Sequence, residues 1–318
     1  MVKLLKPDDF FAARPDPIWT FTGDDDWNSF NGFKFRTMGS RTVALLVGSR
    51  GHLAIVPVEP SDKAAVTTND IIWQSSTQHT DNPHAAELVP AGKHAWPDGR
   101  GTAPDLFIVA APGEGGSLAV YDIDADTAWR TPFAGGHGVL WDPTAKRLWA
   151  LGNSSLSSYR IQKYAKTEQG AGEVDHTGSG WDLGDARHEI DTPLMGHDLQ
   201  PDYNSHGTHL LITTPSQVFR VPKRHPGKRT SLTLPVGKPG VPSYKGSQKV
   251  KSLVRTSSGL YVWVRLQGHG FNPDAVWTDN AISVGKATDD GKIAQVATLK
   301  LPKGDWTYKA RVFSTDYS

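Results

Sequence analysis

The sequence predicts an all-β fold, and three observations predict it. No long segment keeps an apolar i, i+3, i+4 pattern, whereas short runs of period two or continuous β-branched content recur along the chain. These runs come in pairs joined by a few turn-forming residues, as hairpins do. One pattern then repeats at intervals of 53 and 60 residues. Gly 32, Pro 22 and Trp 11 fit many turns between short, aromatic-rich strands.

In chain order, strands are expected at 43–49 and 53–58, joined through Ser49-Arg50-Gly51. The next pair, 106–110 and 118–122, is joined across Gly113-Glu114-Gly115-Gly116. A third, 147–151 and 156–160, is joined by Gly152-Asn153-Ser154-Ser155. Runs at 209–214, 217–221 and 260–265 follow.

The repeat organises these pairs. Pro83-His84-Ala85-Ala86-Glu87-Leu88 precedes the second hairpin, Gly136-His137-Gly138-Val139-Leu140-Trp141-Asp142-Pro143 the third, and Gly196-His197-Asp198-Leu199-Gln200-Pro201-Asp202 the fourth. A further unit, Lys249-Val250-Lys251-Ser252-Leu253, puts lysine where the others have histidine. A last trace is Tyr308-Lys309-Ala310-Arg311-Val312-Phe313, and Phe33-Lys34-Phe35-Arg36 stands before the first hairpin. Units of this length, each a strand followed by a hairpin and a further strand, are blades of a β-propeller. A β-sandwich would explain the strands and leave the recurrence unexplained. Counting units gives five blades, with six the alternative. The ring is expected to close through N- and C-terminal strands, residues 308–313 completing a blade begun near 18–21. One domain, 1–318, and a monomer are expected.

The net charge of +1 gives no global reason to expect nucleic acid as partner. Without cysteine, disulfides, thiol nucleophiles and thiolate metal sites are excluded. No stretch approaches the eighteen or so apolar residues of a membrane-spanning helix. Residues 1–14 hold no apolar core of a signal peptide.

In a propeller the first strand of each blade lines the axis, so equivalent repeat positions converge there. This brings His84, His137, His197 and Lys251 together, with Arg36, Lys309 and Arg311 as additions. A structural reading stands beside this one: each histidine fixes a turn by bonding a backbone carbonyl. Two functional readings compete. Three imidazoles can ligate a divalent metal, with Glu87, Asp198 or Gln200 as fourth ligand. Alternatively, histidines and lysine form a basic site for an anionic substrate, one histidine serving as general acid or base. Neighbouring cations lower histidine pKa values, and cations beside a metal are costly, which favours the second reading.

Other motifs are weaker. Asp24-Asp25-Asp26 lacks the glycine and glutamate of a calcium loop and reads as a solvated turn. Trp141-Asp142 and Trp181-Asp182 resemble propeller Trp-Asp pairs, yet Trp141 falls in an inner strand. Trp149, Trp263 and Trp277 read as core, and Tyr203, Tyr261 or Tyr308 can supply a phenol. The stretches 163–182 and 223–249 read as loops between blades.

Together, Asn82-Pro83-His84-Ala85-Ala86-Glu87-Leu88, His137-Gly138-Val139-Leu140-Trp141-Asp142, Gly196-His197-Asp198-Leu199 and Val250-Lys251-Ser252 resemble a bacterial β-propeller family classed as a domain of unknown function. The resemblance covers roughly residues 40–315 and implies a secreted or periplasmic parent among polysaccharide-degrading bacteria. By looser analogy, polysaccharide lyases and some glycosidases are propellers with histidine at the axis, an argument from fold alone. The expectation is therefore a carbohydrate-active enzyme on an acidic, uronate-containing glycan. It would be a lyase with His137 or His197 as base and Lys251 neutralising the carboxylate with Arg36 or Lys309; Glu87, Asp198 and Arg311 would help to hold the substrate. The alternatives are a non-catalytic glycan- or protein-binding propeller and a histidine-ligated metal-dependent hydrolase or lyase.

Overall fold

The computed structural model describes residues 1–4, 17–27, 29–59, 65–92, 104–113, 116–125, 127–163, 180–235, 248–266 and 278–317. It is a β-propeller. Five four-stranded antiparallel sheets follow one another along the chain. Their inner strands are Phe30–Met38, Ala85–Val89, Gly138–Asp142, Asp198–Pro201 and Val250–Arg255.

A sixth sheet of three strands completes the ring. Val2–Leu4 pairs antiparallel with Trp19–Thr22, which pairs in parallel with Ala65–Thr67. That last strand comes from the connection between the third and fourth strands of the first blade. The count is therefore six rather than five. The sixth blade was hidden because it carries no histidine-led motif and borrows a strand from another repeat. The predicted closure by a C-terminal strand is also corrected. Segment 308–317 adds no strand, and the bridge Asp279↔Thr307 ties the chain down before it turns inward.

Blades stack because their strands are apolar on both faces, and alternation sends successive side chains to opposite neighbours. In the strand Leu106–Ala111, Leu106, Ile108 and Ala110 pack with Val139, Trp141 and Leu148 of the third blade. Phe107 and Val109 pack the other way, with Val43, Leu45 and Ile55 of the first. The same split places Leu210 and Ile212 against Leu199 and Trp149, and Leu211 against Leu253 and Trp263. Trp149 and Trp263 are thus inter-blade core; Trp277 lies outside the described residues. The sixth sheet packs Trp19 and Phe21 on Phe35, Leu46 and Val56 of the first blade.

Close approach at the axis requires glycine at two places. A Cβ on Gly32 would stand 2.5 Å from the His84 carbonyl oxygen, and one on Gly138 would stand 2.6 Å from Leu199 Cβ.

Turn chemistry accounts for the aspartates. Asp142, after Trp141, accepts from the backbone N–H groups of Thr144 and Ala145, and Asp122 does the same for Asp124 and Ala125. Asp25 and Asp26 lie in an exposed single turn. The stretch 163–182 is corrected from an inter-blade loop: Ser155–Lys163 and Trp181–Asp191 are paired strands of the third blade, and 164–179 lie outside the described residues. Likewise Thr230–Ser231, within 223–249, is the outer strand of the fourth blade.

Candidate functional site

The three repeat histidines hold equivalent places. Each stands one residue before its inner strand and donates its backbone N–H to the strand beside it: His84 to Ala110 at 2.9 Å, His137 to Leu151 at 2.9 Å, His197 to Thr213 at 2.8 Å. The rings meet at one end of the axis. His84 and His137 are 4.5 Å apart between centroids, and His137 and His197 are 6.1 Å apart. Lys251 joins them, since all of these line one pocket of about 370 Å³ with Asn31, Asn82, Pro112, Gly113, Met195 and Tyr308.

The structural reading holds for half of the His84 ring and half of the His137 ring. Nδ1 of His84 donates to the Asn82 carbonyl at 2.7 Å, and Nδ1 of His137 to that of Gly135 at 2.8 Å. A carbonyl can only accept, so these neutral rings carry their proton on Nδ1 and keep a lone pair on Nε2. Burial first, then His137, Lys309 and Lys251, hold His84 well below its ordinary value. Burial with Lys251 and Lys309 brings His137 to about 4, and burial with Lys251, His137 and Lys309 brings His197 to about 2. Cations act as predicted, although desolvation is the larger cause. Burial also brings Lys251 down to about 7 against the opposing pull of Asp198.

Tyr308 is the tyrosine that reaches the site. Its ring lies 4.6 Å from Lys251 Nζ and 5.5 Å from Lys309 Nζ, close enough for cation–π attraction. Tyr203 lies elsewhere, in a small cleft beside Arg36, and Tyr261 lies under Arg255.

The remaining predicted site residues sit deeper and are engaged with each other. Glu87 receives Arg36 Nε and Nη2 at 2.7 and 2.8 Å and Lys34 Nζ at 3.1 Å. Lys34 also donates to the Val139 carbonyl. Burial alone would raise the Glu87 pKa; Arg36 and Lys34 outweigh it and hold the carboxyl below its usual range. Asp198 is held by Arg311 and by Gln200. Lys309 donates to the His84 carbonyl at 2.9 Å. None of Arg36, Glu87, Asp198, Lys309 or Arg311 lines the pocket. Inside the ring, charges this buried need partners: Arg36 and Glu87 take each other, as do Arg311 and Asp198, and Lys309 takes the His84 carbonyl.

Segment 308–317 occupies the axis. Ala310 donates to Ser252 Oγ, Arg311 bonds the fourth blade, and Arg36 of the first donates to the Asp316 carbonyl. Tyr317 donates its hydroxyl to the Leu88 carbonyl at 2.6 Å while its ring lies under the Arg36 guanidinium. The pocket therefore has a floor.

A metal finds no donor set of the expected kind. Among the described residues no group of three or more histidine or acidic side chains is placed to hold an ion. Glu87, Asp198 and Gln200, named as fourth ligands, point their polar groups elsewhere.

No known family description and no curated protein matches the chain. Among solved structures, a chain of a nidogen/laminin complex is similar with a TM-score of 0.49 at 10% identity, over 86% of this chain and 80% of that one. The WD40 domain of coronin from Toxoplasma gondii gives 0.46 at 8% identity, over 86% of this chain and 59% of that one. The β-propeller domain of Cps50 (Swd1) from Myceliophteria thermophila gives 0.45 at 11%, over 86% and 73%. Such likeness is one of fold alone.

Proposed function

We propose that this protein is a non-catalytic binding propeller whose axial pocket takes one acidic sugar unit of a glycan. The observation that carries the reading is the composition of the pocket wall: three uncharged imidazoles and Lys251, with no aspartate or glutamate among the lining residues. The Nε2 lone pairs of His84 and His137 accept from sugar hydroxyls, and the Lys251 ammonium meets a carboxylate. A pocket of about 370 Å³ falls at the small end of ordinary ligand pockets, which run from about 300 to 1,000 Å³.

Elimination chemistry is the weaker reading. A general base works best with a pKa near the working pH, and His137 and His197 sit at about 4 and about 2. The arginine and second lysine expected to neutralise a substrate carboxylate are spent on Glu87 and on the His84 carbonyl.

Titration calorimetry with glucuronate and glucose tests the proposal. Glucuronate is expected to bind and to lose about tenfold or more in affinity in His137→Ala and in Lys251→Met. Equal binding of both sugars, or binding untouched by both substitutions, would remove the axial pocket from the explanation. Unsaturated product from a uronate polymer would restore the lyase.

A further inference from the structure

The repeat carries a backbone feature as well as a side chain. Two residues ahead of His84, His137, His197 and Lys251 stand Asn82, Gly135, Met195 and Lys249, with φ of 45°, 63°, 64° and 58°. All four are left-handed, a conformation that glycine and asparagine adopt readily and that methionine adopts only under strain. Of these four, Asn82 and Met195 line the pocket.

Met195 is 42% exposed, and Leu194 before it is 73% exposed. The bend that carries them is pinned at both ends. Thr192 donates its N–H to the Ser154 carbonyl at 2.8 Å, and Gly196 donates to that of Gly152 at 3.1 Å. Single exposed apolar residues are ordinary on a protein surface. A strained and pinned one at a pocket wall is not, because the folded chain gains neither an easy backbone nor full burial from it.

We infer that Leu194 and Met195 form an apolar lip, and that the ligand is an acidic sugar joined to an apolar aryl aglycone. The inference rests on the sugar reading and deepens it. Pro112 adds a further apolar group to the same wall. Leucine offers no hydrogen-bonding side-chain atom and methionine only a weak sulfur acceptor, so a second sugar would leave its hydroxyls unanswered there. Two side chains supply far less than the roughly 800 Å² that each partner gives to a stable protein interface. They suffice to cover one ring.

Titration calorimetry compares phenyl β-glucuronide with methyl β-glucuronide. The phenyl compound is expected to bind about tenfold tighter, and that ratio to fall toward one in Met195→Asn and in Leu194→Ser. Met195→Asn is expected to unfold in urea no earlier than the wild type, since asparagine suits the left-handed backbone. A wild-type ratio near one, a ratio untouched by both substitutions, or a clear loss of stability in Met195→Asn would overturn the inference. A second pair, benzyloxyacetate against methoxyacetate, separates the lip from the sugar. A gain for the benzyl compound that Met195→Asn abolishes, with no glucuronide binding, would remove the sugar and leave the lip. Binding of both glucuronides with equal affinity would remove the lip and leave the sugar.

Discussion

Arg311 holds Asp198 in a two-pronged ion pair across the propeller axis, Nη2 to Oδ1 at 2.7 Å and Nη1 to Oδ2 at 3.0 Å, with both side chains at most 5% exposed. This contact anchors segment 308–317 to the fourth blade. Removing one partner of a buried pair leaves a naked charge, at a cost of about 3–5 kcal/mol, whereas replacing both by apolar groups is often far less harmful. Arg311→Met and Asp198→Leu are each expected to destabilise the protein by about that much, and the double variant by clearly less than the sum. Urea unfolding of all four proteins checks this; additive losses would show that the pair is not coupled.

Glu87 should govern stability at low pH. Its folded pKa lies below the ordinary value of 4.5. The stabilisation it supplies is therefore complete above about 4.5 and lost as pH falls through the folded value. Glu87→Gln is expected to cost about 3–5 kcal/mol at pH 7, because Lys34 and Arg36 lose their counter-charge. The deficit relative to wild type should shrink below pH 4. Melting curves between pH 3 and 7 read both effects.

The histidines act in a higher window. Their folded values lie below the ordinary 6.5, so the unfolded chain binds protons first as pH falls. Stability is then undiminished above about 6.5 and declines toward about 4 for His137 and further for His197. Each contributes a slope of up to about 1.4 kcal/mol per pH unit. His137→Asn is expected to make the decline between pH 6.5 and 4 shallower. An unchanged slope in chemical unfolding would mean that the imidazole is not desolvated.

Binding of an acidic ligand should follow Lys251. Its amine titrates at about 7 in the empty pocket, so glucuronate affinity is expected to be greatest below pH 7 and to fall about tenfold per unit above it. Lys251→Met should bind weakly with no such trend. Calorimetry at pH 6, 7 and 8 decides the matter.

Gly138 tests the packing at the axis. Gly138→Ala puts a methyl 2.6 Å from Leu199 Cβ, between two inner strands. Overpacking of this kind costs about 1–3 kcal/mol. A loss of that size in urea unfolding is expected, and a neutral result would show that the blades can part.

The histidine cluster was legible in the sequence because repeat symmetry is geometry: His84, His137 and His197 recur in their blades, and the ring brings equal positions together. Lys251 followed by the same argument. Tyr308 was named only as one of three tyrosines, since the segment read there as a last trace of the repeat runs down the axis instead of forming a blade strand. Asn31 and Met195 were missed because they lie just outside the quoted motifs, Asn31 before Phe33-Lys34-Phe35-Arg36 and Met195 before Gly196-His197. Glu87, Asp198, Arg36 and Arg311 were expected to meet substrate, and in the structure they pair with each other. Repeat position says where a side chain arrives, and nothing in it says which opposite charge arrives beside it.

By itself the sequence determined the fold class, the stacking of blades and the residues at one end of the axis. All three follow from local periodicity and from a pattern copied along the chain. Tertiary structure alone decided the sixth sheet, the course of segment 308–317 down the axis, and the division of charges into buried pairs and a pocket lysine. Those features rest on contacts between residues as far apart as Leu88 and Tyr317. Such contacts form only once the ring has closed and burial forces every charge to find a partner.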